Sequence, residues 1–185
     1  MYRKEIRDLV HDAYAAVDGP AAPASRFYRP EDLATIPEEA RQWAMGVGNP
    51  VGHAELSTGE SVVDLGSGSG VDVLLAANEV GMAGSVIGID FLDSMVQRGR
   101  RIAANSGYEN VEFIRADIDD LPLDDARTDV VISNGAINLA ARKSRVFAEA
   151  RRIIRPDGRL CVSDLTINEE DLPTEVLVHP SAWAG

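Results

Sequence analysis

The chain has 185 residues and a formal net charge of -12, with 45% hydrophobic and 26% charged residues, which is the composition of a globular chain and excludes wholesale disorder. The acidic balance excludes nucleic acid as the main partner, because phosphate backbones bind basic stripes and this chain has none. No apolar run approaches the roughly 18 residues of a membrane span, the charged first twenty residues are not a secretory signal, and one cysteine, Cys161, makes neither an internal disulfide nor a zinc site alone. A cytoplasmic protein of one domain is expected.

Ile6, Leu9, Val10, Ala13 and Val17 fall at helical spacing and predict a short amphipathic helix over 2–17. The run Gly19-Pro20-Ala21-Ala22-Pro23 breaks it. A second helical stretch is expected over 31–44, after Pro30, and Gly46, Gly48, Asn49 and Pro50 end it. From Ser61 the pattern becomes regular. Apolar strands are predicted at Ser61–Leu65, Ser85–Ile89, Val111–Arg115, Asp129–Ser133 and Arg159–Asp164, the last entered through a Pro156-Asp157-Gly158 turn. Helices are predicted between them, at Val71–Val80, Asp93–Asn105 and Arg142–Arg155. This alternation predicts an α/β layer fold, and Val/Ile-rich strands with little alternation predict a mostly parallel sheet covered by helices on both faces. The expected organisation is a helical lead-in over 1–57, an α/β core over 58–165 and an acidic irregular segment over 166–185.

The most informative segment is Asp64-Leu65-Gly66-Ser67-Gly68-Ser69-Gly70, where a strand runs into three alternating glycines and then a helix. Such glycines let a backbone turn tightly and let a ligand approach it closely. The helix start near Val71 adds N–H groups and a positive dipole end. Asp90 ends the second strand, where a carboxylate can accept both hydroxyls of a ribose. Ala116-Asp117-Ile118 ends the third, where a carboxylate and a backbone N–H can read an adenine edge. Read as architecture alone, these residues make a tight turn and an ordinary strand-end acid. A nicotinamide dinucleotide is the competing ligand, but its motif places the third glycine one residue beyond Gly70 and usually lacks an acid at Asp64.

In this order the motifs resemble those of the class I S-adenosylmethionine-dependent methyltransferases, over roughly residues 60–165. The resemblance implies a Rossmann-like fold. It also implies a cofactor held by Gly66, Ser67, Gly68 and Gly70 at its methionine part, with Asp64 fixing the loop and approaching the cofactor's amino group. Asp90 falls on the family's ribose acid, and Phe91, Asp117 and Ile118 on its adenine contacts. Ser133-Asn134-Gly135 falls on the strand-four segment that faces the cofactor's amino group, and Tyr28 on a lead-in tyrosine that covers the cofactor.

A closer resemblance reaches outward to the arsenite methyltransferases. It is carried by Tyr28-Arg29-Pro30-Glu31-Asp32-Leu33, Gly46-Val47-Gly48-Asn49-Pro50, Gly107-Tyr108-Glu109-Asn110 and Ile132-Ser133-Asn134-Gly135-Ala136-Ile137-Asn138-Leu139. That family binds trivalent arsenic through cysteine thiolates, whose positions fall here on Val47 and Gly135, and the loop from Gly19 to Arg26 holds no cysteine either. Soft arsenic needs soft sulfur, so the methyl acceptor stays open: a small molecule, with no general base evident and the catalytic residues unassigned. A cofactor-binding protein without turnover is the alternative of a different class.

The remaining features read as structure. Cys161 is a small core hydrophobe, His11, His53 and His179 form no metal-ligand spacing, and no metal site is expected. Asp119-Asp120, Asp124-Asp125 and Arg151-Arg152 read as solvated charge, and Trp43 and Trp183 as packing residues before pocket walls. The family's sheet has seven strands and five are visible here. The chain therefore reads as a fragment, or as a shortened member whose exposed fifth strand can pair with a second copy.

Overall fold

The computed structural model describes Asp8, Asp12 and residues 24–166. The helix expected over 2–17, apart from Asp8 and Asp12, lies outside the described residues, as do the acidic tail after Thr166, His11, His179 and Trp183. Five strands, β1 Ser61–Leu65, β2 Ser85–Asp90, β3 Val111–Arg115, β4 Thr128–Asn134 and β5 Ile154–Ser163, form one sheet in the order β3-β2-β1-β4-β5. Every pairing is parallel. The chain winds outward from β1 through β2 to β3, then returns to the other side of β1 for β4 and β5. The order therefore reverses between β1 and β4, which in open α/β sheets is where ligands bind.

The α-helices described beside the sheet are α1 Pro30–Leu33, α2 Glu38–Arg41, α3 Pro50–His53, α4 Val71–Val80, α5 Asp93–Asn105 and α6 Lys143–Ile153. Successive strand residues point to opposite faces, and both faces are apolar. Val62, Val86, Val130 and Ile132 pack with Val73, Leu74 and Ala77 of α4 and Val96 and Ile102 of α5. Val63, Leu65, Ile89 and Val131 pack with Val146, Ala150 and Ile153 of α6. The parallel, doubly covered sheet expected from the sequence is the observed one.

Two expectations are corrected. The helix expected over 31–44 is two single turns, α1 and α2. Pro37 has no N–H to continue a helical ladder and keeps Ile36 out of helical geometry, so the second turn starts afresh with Pro37 as its N-cap. The turn expected at Pro156-Asp157-Gly158 lies inside β5 instead. The register steps from Thr128 opposite Ile154 to Val130 opposite Arg159, so the intervening residues bulge out of the ladder. Beyond the bulge, Arg159 holds the lead-in: its guanidinium donates to the carbonyls of Ala54 and Glu55 and pairs with both oxygens of Glu60 at 2.6 and 2.8 Å.

The packing around Phe113 of β3 decides how closely three elements approach. Its ring is 1% exposed. A Cβ placed on Gly70, at the end of the loop after β1, on Gly88 of β2, or on Gly99 of α5 would lie 2.5, 2.8 and 2.5 Å from ring atoms. Three glycines thus form the socket of one aromatic side chain. A mid-helix glycine costs about 1 kcal/mol relative to alanine, and at Gly99 the ring occupies the space an alanine methyl needs. Gly99→Ala is therefore expected to lower the unfolding free energy by about 1–3 kcal/mol through overpacking, in spite of its better helix propensity. Urea unfolding checks this, and Phe113→Leu in the same chain should recover part of the loss.

Candidate functional site

The carboxyl ends of the strands open into one cleft, walled by the loops after β1, β2, β3 and β4 and roofed by the lead-in. Its lining takes Gly66, Ser67, Gly68 and Ser69 from the first loop, Asp90, Phe91 and Leu92 from the second, Asp117, Ile118 and Asp119 from the third and Asn134, Gly135 and Ala136 from the fourth. Tyr28, Trp43, Ala44, Met45 and Gly46 of the lead-in close it, with Val71, Asp72, Met95 and Leu139. Nine of the eleven residues singled out in the sequence line this cleft: Tyr28, Gly66, Ser67, Gly68, Asp90, Phe91, Asp117, Ile118 and Asn134. Asp64 and Gly70 lie behind it, Asp64 at 2% exposure within β1 and Gly70 against Phe113.

The glycines of the first loop do different work. Gly66 has a φ of +80°, and a Cβ there would lie 2.1 Å from the Cβ of Ala136, so this glycine brings the loops after β1 and β4 together. Gly68 has a φ of +52°, and a Cβ there would meet nothing within 4 Å. The Gly68 backbone therefore faces open space in a left-handed conformation that other residues rarely adopt. The loop is held from below: Gly66 and Ser67 donate their N–H groups to the Ile89 carbonyl at 2.8 and 2.9 Å.

Asp90 fastens the loop to β2. One carboxylate oxygen accepts the Gly68 N–H at 2.9 Å and the other accepts the Leu92 N–H at 2.9 Å. Burial raises its pKa, against the opposing pull of the Leu92, Gly68 and Phe91 N–H groups. Each oxygen has a second lone pair, and Asp90 lines the cleft.

A residue that sequence reasoning missed joins the roof to the floor. Asp72, in the first turn of α4, is 7% exposed and accepts the Tyr28 hydroxyl proton, with both carboxylate oxygens at 3.0 Å. Asn134 donates through Nδ2 to Asp72 at 3.0 Å and to the Tyr28 hydroxyl and the Gly48 carbonyl at 2.9 Å. Its Oδ1 accepts the N–H groups of Val47 and Gly48 at 2.8 and 3.0 Å. The side chain of Asn134 is consumed by these bonds, and a Cβ on Gly46 would lie 2.2 Å from its Nδ2. The only sequence signal for Asp72 was an acid two residues past the last loop glycine. Burial pushes the Asp72 carboxyl up to about 6, opposed by the hydrogen bonds from Asn134 and Tyr28. Burial also pushes Asp64 well above the usual carboxylate range, with Asp72 and then Asp90 adding to it. The Tyr28 hydroxyl is raised by burial and by Asp72.

Other residues settle as follows. Trp43, read as packing, walls the cleft, with the Arg98 guanidinium stacked over its ring at 3.4 Å. Val47 and Gly135, where the resemblance expected sulfur, are neighbours: a Cβ on Gly135 would lie 3.5 Å from both γ carbons of Val47. Cys161 is half-buried beside the Pro50 carbonyl, at 3.4 Å, and burial raises its thiol pKa. Asp119, read as solvated, is buried and paired with Arg142 at 3.0 Å. Among the described residues no group of three or more His, Cys, Asp or Glu is placed to hold a metal ion, and no helix is long and apolar enough to cross a membrane.

Comparison with known proteins places this geometry. Residues 56–184 match the model of a methyltransferase domain. An arsenite methyltransferase of Halobacterium salinarum is 41% identical over 158 residues, covering 85% of this chain and 40% of that protein. A ubiquinone/menaquinone biosynthesis C-methyltransferase of Marinomonas is 31% identical, covering 68% of this chain and 51% of that protein. The crystal structure of an arsenic(III) S-adenosylmethionine methyltransferase from Chlamydomonas reinhardtii superposes with a TM-score of 0.73 at 34% identity, covering 88% of this chain and 55% of that one. The chain spans 40–51% of the length of these two curated relatives.

The raised Asp72 carboxyl makes a prediction about stability. Between its ordinary value of 3.8 and about 6, the folded state binds more protons at Asp72 than the unfolded state does, so this contribution to stability falls as pH rises through that window. The urea midpoint of the native chain, taken relative to that of Asp72→Asn, is expected to decline across it. A constant difference between the two, whatever the variant's absolute stability, would detach the shift from Asp72.

Proposed function

The chain belongs to the S-adenosylmethionine-dependent methyltransferases, and we propose that its cleft binds S-adenosylmethionine and presents it to a small-molecule acceptor. One observation carries this reading. Asp72, Asp90, Asp117 and Asp119 line the cleft, and among the described residues no Lys, Arg or His does. Such a field favours a sulfonium and an ammonium and opposes the diphosphate of a nicotinamide dinucleotide.

The residues also fit the cofactor by shape and donor set. The Gly68 backbone leaves room for close approach, and the buried hydroxyls of Ser67 and Ser69 have no partner among the described residues. In this reading the loop from Gly66 to Gly70 holds the methionine part. Asp90 holds the ribose through its free lone pairs while its other contacts keep the loop in place. Phe91, Asp117 and Ile118 hold the adenine. Tyr28 and Asn134 act through Asp72, fixing its carboxylate and keeping the lead-in closed over the cleft. Asp64 supports the loop from behind.

When bound, the cofactor supplies a methyl group already activated on a sulfonium. The chain's residues then orient the acceptor and exclude water, and Trp43, Met45 and Leu139 form an apolar wall suited to that. An acceptor that is itself nucleophilic, such as a thiol, a metalloid or an enolate carbon, needs no added base. Capture of arsenic by thiolates has no support from Val47 and Gly135, so shape and apolar contact are the recognition this chain offers. The edge position of β5, with Leu160 and Val162 each 37% exposed, supports pairing with a second copy. The acidic charge supports a protein without a nucleic-acid partner.

Calorimetric titration tests the proposal. S-adenosylmethionine and S-adenosylhomocysteine should bind and NADH should not. Asp90→Ala should weaken cofactor binding by roughly tenfold to a hundredfold, as expected when hydrogen bonds to a charged group are lost. Gly68→Val should abolish it. Unchanged affinity in both variants would sink the site assignment.

A further inference from the structure

Asp64 is a buried carboxylate whose Oδ1 has no hydrogen-bond partner among the described residues. In the sheet it stands between Gly88 of β2 and Ile132 of β4, neither of which offers a polar side chain, and the Ser67 hydroxyl, without a partner among the described residues, lies beside Gly88. Asp72 approaches from α4 and Asp90 from the end of β2, both as carboxylates. Tyr28 approaches from the lead-in with its hydroxyl proton committed to Asp72. No cation lines the adjoining cleft among the described residues. An ionised carboxylate that is buried, unbonded and beside two like charges carries a desolvation penalty of several kcal/mol, and such a group neutralises itself instead. Carboxylates crowded at one site do not all ionise together.

We propose, building on the cofactor reading above, that Asp64 is a charge-sensing residue: it carries a proton while the cleft holds no cation and releases that proton to solvent when an ammonium- or sulfonium-bearing ligand enters. The step balances simply. The Asp64 O–H bond breaks, the proton passes to buffer, and the carboxylate left behind compensates the positive charge that has arrived. Asp72 and Asp90 need no such step, because each already has donors: Tyr28 and Asn134 for the first, and the Gly68 and Leu92 N–H groups for the second. Asp64 alone of the three lacks them. Cation recognition is thereby coupled to proton release, and the affinity for a cationic ligand rises with pH until Asp64 is ionised beforehand. The direction of the Asp64 shift agrees with this geometry.

The test is calorimetry of the full chain with S-adenosylmethionine at neutral pH in phosphate, HEPES and Tris, whose ionisation enthalpies differ. The observed heat should vary linearly with buffer ionisation enthalpy, with a slope corresponding to release of up to about one proton per ligand bound. Asp64→Asn keeps the shape without the proton, so it should bind while losing most of that release. S-adenosylhomocysteine, which keeps the ammonium and lacks the sulfonium, separates the two sources. Equal release with both ligands assigns the ammonium, and release with S-adenosylmethionine alone assigns the sulfonium. Binding with no proton release by the native chain overturns the proposal, as does undiminished release in Asp64→Asn. If that variant does not fold, the native slope decides by itself, repeated at higher pH where release should fade. Absence of any binding heat to either ligand by the native chain, with affinity also absent in equilibrium dialysis, is a failure of the cofactor reading instead.

Discussion

The molecule depends on how tightly three backbones can close around one ring. Phe113 fills a socket whose sides are Gly70, Gly88 and Gly99, and in that socket the loop after β1, the second strand and α5 meet at distances that no side chain would permit. Interiors are packed like molecular crystals, so the ring behaves as a rigid spacer. The distance it sets passes directly into the cleft, because Gly70 ends the loop whose Gly68 reaches Asp90. A hydrophobic contact on one side of the loop thus fixes the position of polar groups on the other.

Charge is arranged around this frame in an order that burial explains. Asp90 and Asp72 are each held by donors, and the donors of Asp72 come from the lead-in and from β4. Asp64 is pressed between apolar strands without one. Three acids within one buried neighbourhood oppose folding, and the fold tolerates them through hydrogen bonds and through raised pKa values. Their field is what a positively charged ligand finds attractive. Destabilisation of the empty molecule and recognition of a cation are here two aspects of one arrangement.

The sheet was legible in the sequence because its signals are local. Val62-Val63, Val86-Ile87 and Val130-Val131-Ile132 each identify a buried strand in isolation, and the spacing of glycines after Leu65 identifies the turn. Most of the cleft followed, because strand ends in such a fold converge at the switch point. What could not be read were arrangements set by distant partners. Asp72 looks like an ordinary first-turn acid until Tyr28, 44 residues earlier, and Asn134, 62 residues later, are seen against it. The backbone of Ser133-Asn134-Gly135 was expected to face the cofactor, and the work of the Asn134 side chain within the chain had no local signal. Trp43 passed for packing because the cleft that it walls is assembled from loops far along the sequence. The local misreadings, over 31–44 and at Pro156, both turn on a proline whose effect depends on whether the neighbouring chain can supply an alternative path.

The bonds of Asn134 bear on how the molecule breathes. Each joins segments separated by 62 to 106 residues, and contacts of that span close only once the intervening strands are in register. The roof is thus the last part to dock and the first to come away. It rests on two single-turn helices, α1 and α2, and on side-chain contacts of Asn134, Tyr28 and Arg159, while the sheet beneath has continuous ladders. Local opening of the lead-in lies at a lower free energy than unfolding of the sheet. Passage of a ligand into the cleft then needs the transient release of the Asn134 and Tyr28–Asp72 contacts, with the strands intact throughout.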